Sequence, residues 1–186
     1  MAPWKNDDLV LYHGCSEQSL RPSNRNGIAV GTLPHNIDLS VGGRRTEFGR
    51  GFYATTWLHE AKEWANRQAR SLARGGFVPK AVVVRFDVSR DRLAELDALA
   101  FTTENGDFWP FVEYCRDGSV PHARSGVQKE YDVVYGPVSV WPQHIVLKDC
   151  DQVSFHTKRA LLAVPALTIA ATGDPYFVMG APYAKN

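Results

Sequence analysis

Hydrophobic positions along this chain follow two periods. Short apolar runs rich in β-branched and aromatic residues occur at Leu9–Tyr12, Phe52–Thr55, Ala81–Val88, Tyr131–Tyr135 and Gln152–His156, each bounded by glycine, proline or polar clusters, and they read as strands. Ala81–Val88 is the most continuous run, as expected of a central strand. Gly136-Pro137 closes the Tyr131 strand, and His144–Leu147 supplies a weaker strand signal before the last one. From about Leu58 to Arg74, Ala61, Trp64, Ala65, Ala69, Leu72 and Ala73 share a stripe opposite the charges, which predicts an amphipathic helix. Thr56 reads as its N-cap and Gly75-Gly76 as its stop. Shorter helices are expected at Arg90–Leu99 and Phe108–Arg116, on either side of an Asn105-Gly106 turn, and another short apolar segment covers Lys158–Val164. Arg21–Gly49 is long, polar and punctuated by glycine and proline, the character of a loop that binds or moves. Beyond Val164 the small residues, with Pro165, Gly173, Pro175, Gly180 and Pro182, show no period. This divides the chain into one α/β domain over residues 1–164 and an extension over 165–186.

Composition narrows the class. The 186 residues, 44% of them hydrophobic, suffice for one buried core and would be cramped as two domains. Five Trp, 7 Tyr and 9 Phe argue against disorder over the whole length. A net charge of +1, from 21 basic and 20 acidic side chains, gives no electrostatic reason to expect a nucleic-acid or membrane-surface partner. Cys15, Cys115 and Cys150 are widely spaced and odd in number, which fits reduced thiols and no zinc or disulfide framework. Without an apolar leader pattern at Met1–Asp8 or a stretch of transmembrane length, the expectation is a cytoplasmic domain with no membrane partner.

Two segments carry candidate chemistry. Tyr12-His13-Gly14 ends the first apolar run. Phe48-Gly49-Arg50-Gly51-Phe52-Tyr53-Ala54-Thr55 leads a glycine-loosened loop into the second. A histidine and a polar aromatic, each beside glycine at a strand end, suit a pocket for a flat ligand.

These motifs resemble the ADP-ribosyltransferase superfamily of the diphtheria-toxin and poly(ADP-ribose) polymerase type, with its His-Tyr-Glu set, and most closely an uncharacterised microbial branch. Tyr12-His13-Gly14 is similar to the triplet that ends the first strand in the toxin group, and Gly51-Phe52-Tyr53-Ala54-Thr55 to its Gly-Phe-Tyr-small-Thr motif. Trp64 stands at the offset of a second aromatic on the following helix, a tyrosine in toxins. Glu130-Tyr131-Asp132-Val133-Val134-Tyr135, preceded by Ser125-Gly126-Val127, resembles the strand that brings the family's glutamate. Gln152-Val153-Ser154-Phe155-His156-Thr157 resembles a signature of the microbial branch. The likeness runs from about Leu9 to Leu161.

The resemblance implies an α+β fold of two small, mostly antiparallel sheets that form an NAD cleft with helices outside. It implies a transferase that moves ADP-ribose from NAD, used as co-substrate without a metal, to a macromolecular acceptor. Such a protein would be a toxin or effector, with an antitoxin or immunity protein as a further partner. By the same resemblance His13, Tyr53 and Glu130 are catalytic. His13 bonds the adenosine ribose, Gly14 brings backbone to the nicotinamide amide, and Tyr53 and Trp64 flank the ring. Tyr12, Phe48, Gly49, Gly51, Phe52, Ala54, Thr55 and Gln152 complete the NAD-binding set, with Gln152 the rival of Glu130 for the third position. Arg44, Arg45 and Arg50 flank the loop as phosphate contacts or as solvated charges.

Other functions on the same residues are NAD hydrolysis, RNA 2′-phosphate removal, or silent binding of NAD or ADP-ribose if glutamine takes the glutamate's place. Each residue also has an ordinary structural reading. Tyr53 and Trp64 would be core aromatics, Glu130 a solvated strand-edge charge, Tyr-His-Gly a turn, Cys15 an inert thiol, and His144 and His156 structural or surface histidines.

Overall fold

The strand pattern resolves into two separate sheets, seen in a computed structural model that describes residues 6–20, 37, 39, 46–117 and 130–180. In chain order the elements are β1 (Leu9–Ser16), β2 (Phe52–Ala54), α1 (Leu58–Leu72), β3 (Ala81–Val88), α2 (Arg90–Ala94), β4 (Ala98–Ala100), α3 (Phe108–Asp117), β5 (Val133–Val140), β6 (Ile145–Phe155), α4 (Lys158–Leu162) and β7 (Thr168–Thr172), with a 3-10 turn at Glu17–Leu20. One sheet has the order β1-β3-β7 and the other β2-β6-β5-β4, antiparallel except where β4 runs parallel to β5. β3 is the central strand of the first sheet, as its unbroken apolar run predicts. The backbones of the two sheets are joined where Tyr12 and Thr55 exchange hydrogen bonds of 2.8 and 2.9 Å.

Period-2 alternation decides which side chains face which layer. Leu11, Phe52, Ala54, Val84, Phe86, Val153 and Phe155 build the core shared by the two sheets, closed by Leu161, Val164 and Leu167. On the other face of the second sheet, α3 packs Phe108 and Val112 against Phe48, Phe101 and Val134. On the outer face of the first sheet, α1 lays Ala61, Ala65 and Ala69 onto Ala81 and Val83.

That last contact corrects the helix stripe. A Cβ added at Gly14 would lie 2.0 Å from the Ala61 carbonyl oxygen and 2.7 Å from the Ala65 nitrogen, so α1 and β1 touch backbone to backbone. Only alanines fit such an approach. Trp64 therefore turns outward, 41% exposed, with the Arg67 guanidinium 5.9 Å from its ring, and Leu72 is exposed as well. The polar Asn66 is buried instead, because its amide donates to the Phe177 carbonyl (3.0 Å) and accepts from the Phe177 N–H (2.8 Å).

Five further boundaries differ from the sequence reading. Thr56 does not cap α1. Its hydroxyl donates to Asp151 Oδ2 at 2.6 Å, and Trp57 holds the N-cap position without a side-chain bond. β5 continues through Gly136-Pro137, with a register shift between Pro137 and Ser139, and β6 is one strand of 11 residues in which the weak His144–Leu147 signal merges with Gln152–His156. The expected Arg90–Leu99 helix stops at Ala94, where Asp132 accepts from the Asp97 N–H (3.0 Å), and the chain turns into β4. Residues 168–172, without a period in the sequence, form β7 on the free edge of β3.

Candidate functional site

His13 and Tyr53 come together at the junction of the sheets. β1 delivers His13 beside the end of β2, where its ring lies 4.7 Å from that of Phe52 and its Nδ1–H donates to the Tyr53 carbonyl at 2.6 Å. A carbonyl can only accept, so this bond fixes the proton on Nδ1 and leaves Nε2 as an acceptor in the neutral ring. Burial holds the imidazole below its ordinary value of 6.5, which the bond to Tyr53 only partly offsets. His13 is thus neutral at physiological pH.

The Tyr53 side chain points to the opposite face of β2, packing on the cluster under α3. Its hydroxyl lies 2.6 Å from the Gly49 carbonyl and 3.0 Å from Thr46 Oγ1, donating into that pair, and accepts from the Phe48 N–H at 3.0 Å. Burial drives the phenol far above its usual range, so it stays protonated. The hydroxyl thus anchors the glycine loop. Gly49 adopts φ 82°, the left-handed region that glycine enters freely. Gly51 has His156 Nδ1 where a Cβ would come within 2.8 Å, while that nitrogen donates to the Arg50 carbonyl at 2.7 Å. Phe48 is fully buried. The motif around Tyr53 therefore builds one tightly fastened turn over residues 46–51.

The remaining expected contacts separate. Tyr12 faces α1 and Ala54 faces the inter-sheet core, while Gly14 is required by the close approach of Ala61. Thr55 donates to Asp151 Oδ1 (3.1 Å), as does the Thr56 N–H (2.8 Å), which makes Asp151 the buried tie between β2 and β6. Trp64 sits on the solvent side of α1, and no ring contact joins it to Tyr53. Cys15 is a buried thiol pushed up to about 12 by burial, unsuited to act as a nucleophile. Arg44, Arg45 and Ser125–Val127 lie outside the described residues.

Glu130 and Gln152 stand at opposite ends of the 46–51 turn. Glu130, partly buried just before β5, has its carboxyl raised by desolvation and held back by the nearby Arg50 charge. No hydrogen bond joins it to His13 or Tyr53. Gln152, 8% exposed on β6, shares the α3-facing side of the sheet with Tyr53 and Ser154. Its Nε2 donates to Glu47 Oε2 and, at 3.1 Å, to the Pro137 carbonyl.

Glu47 is the site residue that sequence reasoning missed. It is 7% exposed, accepts from the Ser139 N–H at 2.6 Å and from the Ser139 hydroxyl, and has Arg116 Nη2 3.8 Å away. Nothing in its neighbourhood, a polar loop without a period, marks it as buried. A cavity of about 460 Å³ opens beside this cluster, lined by Glu113, Arg116, Asp117 and Trp141. A second, of about 280 Å³, lies past the end of β2 between Trp57, Phe101, Tyr135 and Asp151. Among the described residues no group of three or more His, Cys, Asp or Glu is arranged to hold a metal ion, and no helix is long and apolar enough to cross a membrane.

Comparison with known proteins supplies one match. No curated protein and no solved structure matches the chain. A family model described as "Protein of unknown function (DUF3990)" matches residues 32–141, from the glycine-rich loop through Tyr53, Trp64 and Glu130 into β5; His13 lies before that stretch and Gln152 after it. Since the match covers more than half of the sequence, the chain belongs to the DUF3990 family.

Proposed function

We propose that this protein is an NAD-dependent ADP-ribosyltransferase with the split-sheet fold of the diphtheria-toxin and poly(ADP-ribose) polymerase type. The observation that carries this reading is the bond from His13 to the Tyr53 carbonyl beside the Tyr12–Thr55 bridge between the sheets, with Nε2 of a neutral imidazole left to accept a hydrogen bond. A ribose hydroxyl of NAD is the donor that such an acceptor suits. In the reaction the bond between the anomeric carbon and the nicotinamide nitrogen breaks, and its electron pair neutralises the pyridinium. An acceptor nucleophile then bonds the anomeric carbon and loses its proton. The chain's own part is to hold the ring and ribose and to stabilise positive charge at that carbon. In this reading Tyr53 shapes the pocket through the 46–51 turn that its hydroxyl anchors, Trp64 stays on the outer side of α1, and Glu130 or Gln152 contacts the nicotinamide ribose. The acceptor is a macromolecule, as in a toxin or effector countered by an antitoxin or immunity protein.

The neutral Gln152 on β6 favours a second reading, a silent module that binds NAD or ADP-ribose. Incubation with labelled NAD, alone and with cell lysate, separates the two. Wild type releases nicotinamide and labels an acceptor, and His13→Ala and Tyr53→Ala each lose at least about tenfold of that activity. Release without labelling makes water the acceptor, and binding without release selects the silent module. Release that ignores both substitutions sinks the transferase reading.

A further inference from the structure

We propose that Glu47 is a positioning residue that acts through Gln152, leaving the Gln152 carbonyl free to accept from a ribose hydroxyl and lending it negative charge; this rests on the NAD reading above. The bonding partners decide the orientation of the Gln152 amide. Its nitrogen faces two groups that can only accept, the Glu47 carboxylate and the Pro137 carbonyl. The reverse orientation would set the amide oxygen against both of them, an arrangement of three oxygens without a proton between them. Both amide hydrogens are therefore used, and Oε1 is left without a partner among the described residues.

Glu47 is itself held in place. The Ser139 N–H and hydroxyl converge on Oε1 of its carboxylate, the Gln152 amide takes Oε2, and the Arg116 guanidinium stands 3.8 Å from Oε1. A buried carboxylate held by this many donors is fixed in place, and it polarises the amide that bonds it. A glutamine can accept from a ribose hydroxyl but carries no charge to oppose the cationic transition state. A carboxylate one hydrogen bond behind it supplies part of that field to the acceptor oxygen. Glu47 and Gln152 together would thus serve where the resemblance expects a single glutamate.

Nitrogen-15 NMR of the full chain reads the bond directly, with the Gln152 side-chain signals identified by their loss in Gln152→Ala. Slowed exchange and a downfield shift of that amide in wild type, moving to ordinary values in Glu47→Gln, support the coupling. An amide that ignores Glu47→Gln overturns it. If Glu47→Gln does not fold, fast exchange of the wild-type amide overturns it equally. In turnover of NAD, Glu47→Gln should lower kcat roughly tenfold to a hundredfold. The double variant Glu47→Gln/Gln152→Ala should be no slower than Gln152→Ala alone, whereas a merely structural Glu47 would add its own loss. If wild type neither binds nor cleaves NAD while the amide still depends on Glu47, the NAD reading falls and the hydroxyl assigned to Oε1 falls with it. An amide that is free of Glu47 in an enzyme active on NAD removes the positioning role alone.

Discussion

At the scale of single residues, His13 shows how one hydrogen bond assigns a chemical state. The Tyr53 carbonyl requires the proton on Nδ1, and burial keeps a second proton off Nε2. The folded chain therefore binds a proton at His13 less readily than the unfolded one. Above about pH 6.5 both states are neutral there and the full stability is present; as pH falls below that value the unfolded state gains its proton first, and stability is lost until the folded-state value is reached. Urea unfolding between about pH 7.5 and 5.5 should show a decline of up to about 1.4 kcal/mol per pH unit attributable to this group. His13→Asn, which keeps a donor toward the Tyr53 carbonyl, should flatten that part of the slope. An unchanged slope in His13→Asn means that the imidazole does not carry it. Tyr53 differs in kind: its ring reads from the motif as one wall of a ligand site, whereas its hydroxyl is engaged with Thr46, Phe48 and Gly49, partners that the residue type does not reveal.

At the scale of elements, the contact between α1 and β1 governs the geometry. Gly14 lies where the helix backbone touches the strand, and the alanine row of α1 exists to allow that approach. Gly14→Ala forces a backbone shift and should cost about 1–3 kcal/mol or more, visible as a lower urea midpoint with an unchanged slope. An unaltered midpoint would show that α1 slides away freely. The same contact explains why Trp64 does not join the buried stripe although its spacing suits it. Helical periodicity places a residue within roughly a quarter turn, but the closeness of the partner decides which side chains fit. Strands were more legible. β3 matches its expected run, because burial of a central strand leaves an unmistakable apolar sequence; β2 stops one residue short of its run, and β1 contains its run but continues to Ser16. β7 was not legible: it is a largely exposed edge strand of threonine, alanine and isoleucine whose order comes from β3.

For the whole molecule, the last described segment is part of the sheet. Leu167 is fully buried in the inter-sheet core, β7 covers the edge of β3, and Phe177 is bonded to Asn66 of α1. A chain ending at Val164 should lose the burial of Leu167 alone at about 1.5–3 kcal/mol. That is a large part of the ~5–15 kcal/mol that holds a typical domain, before the lost strand is added. Such a truncation should fail to give a cooperative melting transition by circular dichroism. A melt like that of the full chain would show that residues 165–180 are dispensable.

The sequence by itself determined the alternation of strands and helices, the central place of β3, and the motifs that carry His13 and Tyr53, although both lie within their strands and not at the ends. These depend on local periods and on residues whose meaning is local, glycine above all. Two sheets are expected from the resemblance; only the tertiary structure decided that they join at Tyr12 and Thr55, that β5 runs on through Pro137, and that Glu47 is buried against Gln152, 105 positions away. A polar residue in an aperiodic loop looks solvated until its partners are known. Its partners come from strands far along the chain, and no local pattern records which carboxylate they will close upon.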